Sequence, residues 1–219
     1  MRWIFDINNP IMRYVIKVFD CMCLSVLWLV VCLPIVTIGP ATTAMFAVIH
    51  RYIRLEEESL WKMFWKTFRE EFKRTSLCWL AALGILILLI VDALVFRTME
   101  INGQFFGKLY WLILLLIGIV ATWITYLFSY AERFDGGVKD TLKLSFLMMV
   151  LHPIKSITIL IILVASAALI ILFPGFLTIV PAVCCWLCDV LTASVFVLHL
   201  REEDRQRLED SRKESAEDI

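Results

Sequence analysis

Five long apolar runs set the solvent for this chain before any other property does: Cys21–Ile38, Leu77–Phe96, Leu109–Tyr130, Ile154–Phe173 and Leu177–Leu200. Each is close to the ~20 residues that a helix needs to cross a ~30 Å hydrocarbon core. A soluble chain of 219 residues has no interior able to bury five such helices. Apolar residues make up 61% of the sequence, against about 45–50% in soluble domains, so the excess lies in the runs. The sequence therefore predicts an all-α, polytopic membrane bundle.

Charge adds information through its placement. The 21 basic and 21 acidic residues cancel, which argues against a nucleic-acid surface. Gly39 and Pro40 break the first run, and Pro40 suits the opening of a second, shorter helix to Leu55. If that helix crosses, one side holds nearly all the cations. They comprise Arg2, Arg13 and Lys17, seven Lys/Arg in Arg51–Arg74, four in Arg133–Lys155 and five in the tail, against Arg97 and Lys108 opposite. By the positive-inside rule this favours six spans, five long and one short, with both termini cytoplasmic and the Ile35–Gly39 turn outside. The expected spans are 17–38, 40–55, 77–96, 109–130, 154–173 and 177–200. At 16 residues the second helix is short. The alternative is a re-entrant segment, five spans and an external N-terminus.

Between the second and third spans, Ser59–Ser76 has an aromatic face of Trp61, Phe64, Trp65, Phe68 and Phe72, with Lys62, Lys66, Arg69, Glu70 and Lys73 on other faces. It reads as an amphipathic interfacial helix whose aromatic side meets the lipid bilayer or packs on the span ends. Glu70 and Arg74 have the spacing of a favourable pair. Residues 201–219, with eight acids and five bases, form a charged cytoplasmic tail separate from the membrane domain 1–200.

Ionisable residues inside spans are the candidates for chemistry. Asp189 is the deepest, and no Lys or Arg shares its depth. It is expected to be protonated or bonded to hydroxyls such as those of the Thr122–Ser129 face. Asp92 lies near the end of its run and can reach the interface. His50, His152 and His199 fall at span ends without an acidic cluster, so they make no metal site. Cys184 and Cys188 share a helical face beside Asp189, where cysteine is read as small apolar packing in preference to a metal ligand. No glycine-rich phosphate loop, HExxH or GxSxG is present, and no cofactor or enzymatic activity is expected. Thr37-Ile38-Gly39-Pro40-Ala41 is echoed by Thr178-Ile179-Val180-Pro181-Ala182, the form that an internal repeat would take.

The stretch Leu33-Pro34-Ile35-Val36-Thr37-Ile38-Gly39-Pro40-Ala41-Thr42-Thr43-Ala44 resembles the signature of the YesL-like family of bacterial integral membrane proteins. Asp20, Phe64-Trp65-Lys66-Thr67-Phe68, Tyr130–Phe134 and His152-Pro153 extend the likeness, while Ser25 replaces an expected asparagine. Pro34, Thr37, Gly39 and Pro40 are its turn-forming positions. The resemblance implies a domain of unknown function, often encoded beside carbohydrate importers and glycan-degrading enzymes. Its implied place is the bacterial inner membrane, and its implied role is an accessory or regulatory partner of a carbohydrate importer. The alternative is a small solute transporter or channel with Asp189 as its intramembrane polar site.

Overall fold

The computed structural model describes residues 10–55, 60–101, 105–134 and 137–196. The charged tail, His199, Gly103 and both chain ends lie outside the described residues. Those described are helical: α1 (Pro10–Val31), α2 (Ile38–Leu55), α3 (Leu60–Glu70), α4 (Phe72–Ile101), α5 (Leu109–Arg133), α6 (Val138–Leu151), α7 (Pro153–Leu172) and α8 (Val180–Phe196). Short 3-10 turns at Ile35–Thr37, Phe105–Lys108 and Pro174–Thr178 open α2, α5 and α8. α4, α5 and α7 are each long and apolar enough to cross a membrane, with shorter apolar segments at Phe19–Val31, Ile35–His50 and Val180–Phe196.

One end of the bundle, here called basal, is defined by where α5 finishes. Arg74, in the first turn of α4, donates to the Phe134 carbonyl at 2.8 Å and also to that of Ala131. It thus supplies donors to carbonyls that the end of a helix leaves unsatisfied. α4 therefore starts where α5 ends, and the Trp79 and Phe128 rings meet 5.9 Å apart farther in. α8 ends at the same place, with the Ser129 and Thr192 hydroxyls 2.7 Å apart and Phe196 against Tyr130 and Phe134.

α1 runs in the same direction as α5 and α8. Ser25 Oγ accepts the Ala182 amide at 3.2 Å, capping the first turn of α8. Ala182 lies ten residues, or about 15 Å, up α8 from Thr192. Ten residues after Ser25, the Ile35 carbonyl accepts the Trp79 indole at 2.8 Å, back at the basal level.

α2 then remains at that level. A Cβ on Gly39 would come within 2.7 Å of Trp79 Cβ and 2.8 Å of the Thr75 carbonyl, so only glycine allows this approach to α4. About 16 Å along the helix, His50 lies 3.3 Å from Arg133. Both ends of α2 therefore touch the base, and the helix lies across the bundle with α3 folded back on it. The Ile35–Gly39 turn, expected at the end opposite Ser59–Ser76, rests instead on the first turns of α4. The reason is the direction of α1, which brings the chain down to the base before the turn.

Three further details depart from the sequence reading. The first helix ends at Val31 and not Ile38, because Pro34 precedes a 3-10 turn in which Thr37 Oγ1 donates to the Val31 and Pro34 carbonyls, each at 2.6 Å. The expected 59–76 helix is broken at Glu71, and Arg74 pairs with Glu71 at 2.6 Å in place of Glu70. The Arg133–Lys155 connection contains a helix, α6, that returns along α5, where the Trp123 indole donates to Ser145 Oγ at 3.2 Å. At the His152-Pro153 break Ser156 Oγ donates to the Met149 carbonyl at 2.8 Å, joining α6 to α7.

Packing at the base is close because buried hydroxyls are satisfied within their own helices. Thr43, Thr75, Thr122, Thr125 and Thr141 each donate to the carbonyl four residues back. Small polar side chains treated this way let helices approach without leaving an unpaired group in an apolar interior.

Candidate functional site

Asp189 marks the centre of the only buried ionic cluster formed among the described residues of α2, α5 and α8. Its side chain is 6% exposed. Arg133, from the last turn of α5, binds Asp189 Oδ1 directly. His50 Nδ1 of α2 lies 3.4 Å from Oδ2 and 3.3 Å from the same guanidinium. Arg133 also donates to Ser129 Oγ at 2.8 Å, lies 3.5 Å from the Glu132 carboxylate and stacks 4.9 Å over the Phe196 ring. Thr192 Oγ1 closes the group against Ser129 and reaches back to the Cys188 carbonyl at 2.9 Å.

The expectation that no cation shares the depth of Asp189 is corrected here. Depth counted along separate helices places Arg133 at a terminus, but its long side chain reaches back over the preceding turn to Asp189. A buried carboxylate beside a guanidinium is held as an ion pair, since either charge alone would be costly in such surroundings. Ser129, on the hydroxyl face proposed from sequence, joins the cluster through Arg133 and Thr192. Asp92 is half-exposed on the distal part of α4 and takes no part.

The turn positions divide by role. Pro34 is exposed, Thr37 ties off the 3-10 turn, Gly39 admits the α4 backbone and Pro40 is fully buried in the first turn of α2. Its echo near Thr178 also passes from a 3-10 turn into a helix, but α8 runs along the bundle while α2 crosses it.

The aromatic residues of 61–72 do not form one face. Phe64 is fully buried with Met63 and Thr67, whereas Trp61 and Trp65 are 58% and 39% exposed. Phe68 links the two sets, stacked 6.2 Å from Phe64 and edge-on to Trp65 and Phe72 at 5.5 Å each.

The seven cysteines are free thiols. Ser166 Oγ donates to Cys184 Sγ at 3.4 Å beside an apolar groove of about 340 Å³ between α7 and α8, lined also by Ile162, Leu169, Phe176 and Val183. Neither Asp189 nor Arg133 reaches that groove. Among the described residues no three His, Cys, Asp or Glu side chains converge as metal ligands would.

A family model described as a protein of unknown function, DUF624, matches residues 21–93. The match runs from α1 into α4 and so includes His50, Gly39 and the aromatic segment, but not Arg133 or Asp189. No curated protein and no solved structure matches the chain. The chain is thus similar to an uncharacterised domain family over its first helices, and its long apolar helices indicate a membrane protein.

Proposed function

We propose that this chain is an integral protein of the bacterial inner membrane that acts as an accessory or regulatory partner of a carbohydrate uptake system and does not itself carry solute. The observation behind this reading is the state of Asp189. A proton- or solute-coupling carboxylate must change partners during a cycle, whereas Asp189 is enclosed by Arg133, His50 and packed hydroxyls that tie α2, α5 and α8 together. The link to sugar uptake comes from the YesL-like resemblance of the Leu33–Ala44 stretch. Deleting the gene in its host while leaving the carbohydrate importers intact should lower uptake of at least one sugar. Unchanged uptake would remove the accessory role. Purified protein in liposomes should show no proton or sugar flux, and flux abolished by Asp189→Asn would establish the transporter alternative.

The arrangement in the membrane follows from helix direction. Charge placement alone favours six crossings, but α1 descends to the base with α5 and α8, and α2 stays there. This supports five crossings, by α1, α4, α5, α6 with α7, and α8. The basal end would be cytoplasmic, with the N-terminus outside. Sixteen of the Lys and Arg residues then remain on the cytoplasmic side or within the base, with Arg2, Arg13, Lys17, Arg97 and Lys108 outside. Reporter fusions at Met1 and after Ile219 should report opposite sides. Two cytoplasmic ends would restore six crossings.

A further inference from the structure

We infer that the exposed side of α3, with the start of α6, is a docking surface for anionic lipid headgroups of the membrane in which the chain sits. α3 has three sides. Met63, Phe64 and Thr67 are buried against the protein, Trp61 and Trp65 are exposed on one flank, and Lys62, Lys66 and Arg69 are exposed on the other. A bend at Glu71 then leads into α4, which is long enough to cross a bilayer. Such a helix lies where the hydrocarbon boundary must be.

Charge selects the occupant. Lys73, Lys139 and Lys143 are exposed at the same end, and the Cys78 thiol lies 4.0 Å from the Val138 carbonyl, which brings the start of α6 beside the start of α4. Among the described residues of this surface, two exposed carboxylates, Glu70 and Asp140, stand against these six cations. Glu71 is already engaged by Arg74. Indole rings favour the boundary between headgroups and acyl chains, and neighbouring lysines and arginines favour anionic phosphates there. The aromatic contacts from Phe64 through Phe68 to Trp65 anchor this flank to the core, so docking need not order a loose segment.

The test is hydrogen exchange of residues 60–70 in the full-length protein. It would be reconstituted in nanodiscs of phosphatidylcholine alone or mixed with phosphatidylglycerol. Exchange should slow several-fold when phosphatidylglycerol is present, and high salt should erase the difference. Lys62→Gln with Lys66→Gln and Arg69→Gln should abolish the lipid dependence, and Trp61→Ser with Trp65→Ser should speed exchange in both discs. Equal exchange in the two lipids would overturn the proposal. So would a lipid effect that survives salt, or protection that vanishes when residues 201–219 are removed and not when the lipid is changed. If the substituted chains fail to insert, the salt dependence of the unaltered protein decides the matter. Because the readout is local exchange, it stands or falls independently of sugar uptake.

Discussion

The basal and distal halves of the bundle use similar apolar residues in opposite ways. In α5, Thr122 and Ile124 through Ala131 are buried, whereas Leu112, Leu114, Leu115, Leu116 and Ile119 toward its start are exposed. α4 divides the same way, with buried positions between Thr75 and Ala82 and exposed ones from Ile85 to Val95. α7 buries only Ile159. The basal half is held by protein contacts, by buried hydroxyls and by one ionic cluster. The distal half presents apolar surface far beyond the few hundred Å² that a soluble monomer tolerates. Lipid is the medium in which both halves are stable, and the comparison separates residues whose partner is protein from residues whose partner is the bilayer.

The largest effect that could break this contrast is expected at the ionic cluster. Arg133→Ala leaves the Asp189 carboxylate buried without its cation, at a cost of about 3–5 kcal/mol. In detergent the variant should lose most of its thermal stability, read as the midpoint of aggregation on heating. Replacing both residues with leucine should recover part of the loss, because the Asp189 charge is removed with its partner, while the buried Glu132 carboxylate still loses the Arg133 neighbour 3.5 Å away. Equal losses from the single and double variants would show that the pair does not act as a unit.

At the distal end the decisive substitution is Leu88→Arg. Leu88 is 61% exposed near the middle of α4, so in water the change would be nearly harmless. In a bilayer an arginine at the centre of a helix costs about 2.5–3.5 kcal/mol of insertion. The fraction of chain recovered in membranes should fall for Leu88→Arg and hold for Leu88→Ala. Full recovery of the arginine variant would remove lipid from the surroundings of α4.

The same contrast explains what could be read from the sequence. Helix content and the membrane setting follow from run length, because hydrocarbon thickness alone imposes it. The Arg133–Asp189 pair was hidden because Arg133 ends its helix, and only the three-dimensional path of its side chain brings it to Asp189. α6 was hidden because Lys139, Asp140 and Lys143 interrupt its apolar pattern and make Val138–Leu151 look like a connection. The Glu70–Arg74 spacing failed because the bend at Glu71 separates two helices, and neighbour rules hold only within one. The lie of α2 was hidden because its length suits a crossing as well as an in-plane helix. Contacts of Gly39 with Thr75 and of His50 with Arg133 support the in-plane arrangement proposed above, and both are long-range.

Glycine substitutions sharpen the comparison at an intermediate scale. Gly39→Ala forces a methyl into the space between α2 and α4, which should cost about 1–3 kcal/mol as overpacking. At Gly84 a Cβ meets nothing within 4 Å. Gly84→Ala should therefore leave stability unchanged or raise it by up to about 1 kcal/mol through the backbone entropy that glycine loses on folding. Thermal midpoints of the two variants, measured side by side in one detergent, should move in opposite directions or with Gly39→Ala alone falling. A tolerated Gly39→Ala would mean that α2 does not press on α4.

The smallest expected difference lies between two indole hydrogen bonds, one in each half. Trp79 donates to the Ile35 carbonyl at 2.8 Å while its ring packs by Phe128. Trp111 donates to Glu100 Oε1 at 3.1 Å from a position 63% exposed. Replacing each by phenylalanine keeps an aromatic ring and removes the donor. A typical net loss is about 0.5–1.5 kcal/mol. Trp79→Phe should approach that range, because the indole is 8% exposed and ties the α1–α2 turn to α4. Trp111→Phe should lie near zero, since the Glu100 carboxylate can turn to water or headgroups. If the two losses were equal, the tie between the α1–α2 turn and α4 would be no tighter than a surface contact. α2 would then not be fixed across the base, and the five-crossing arrangement would lose one of its two anchors.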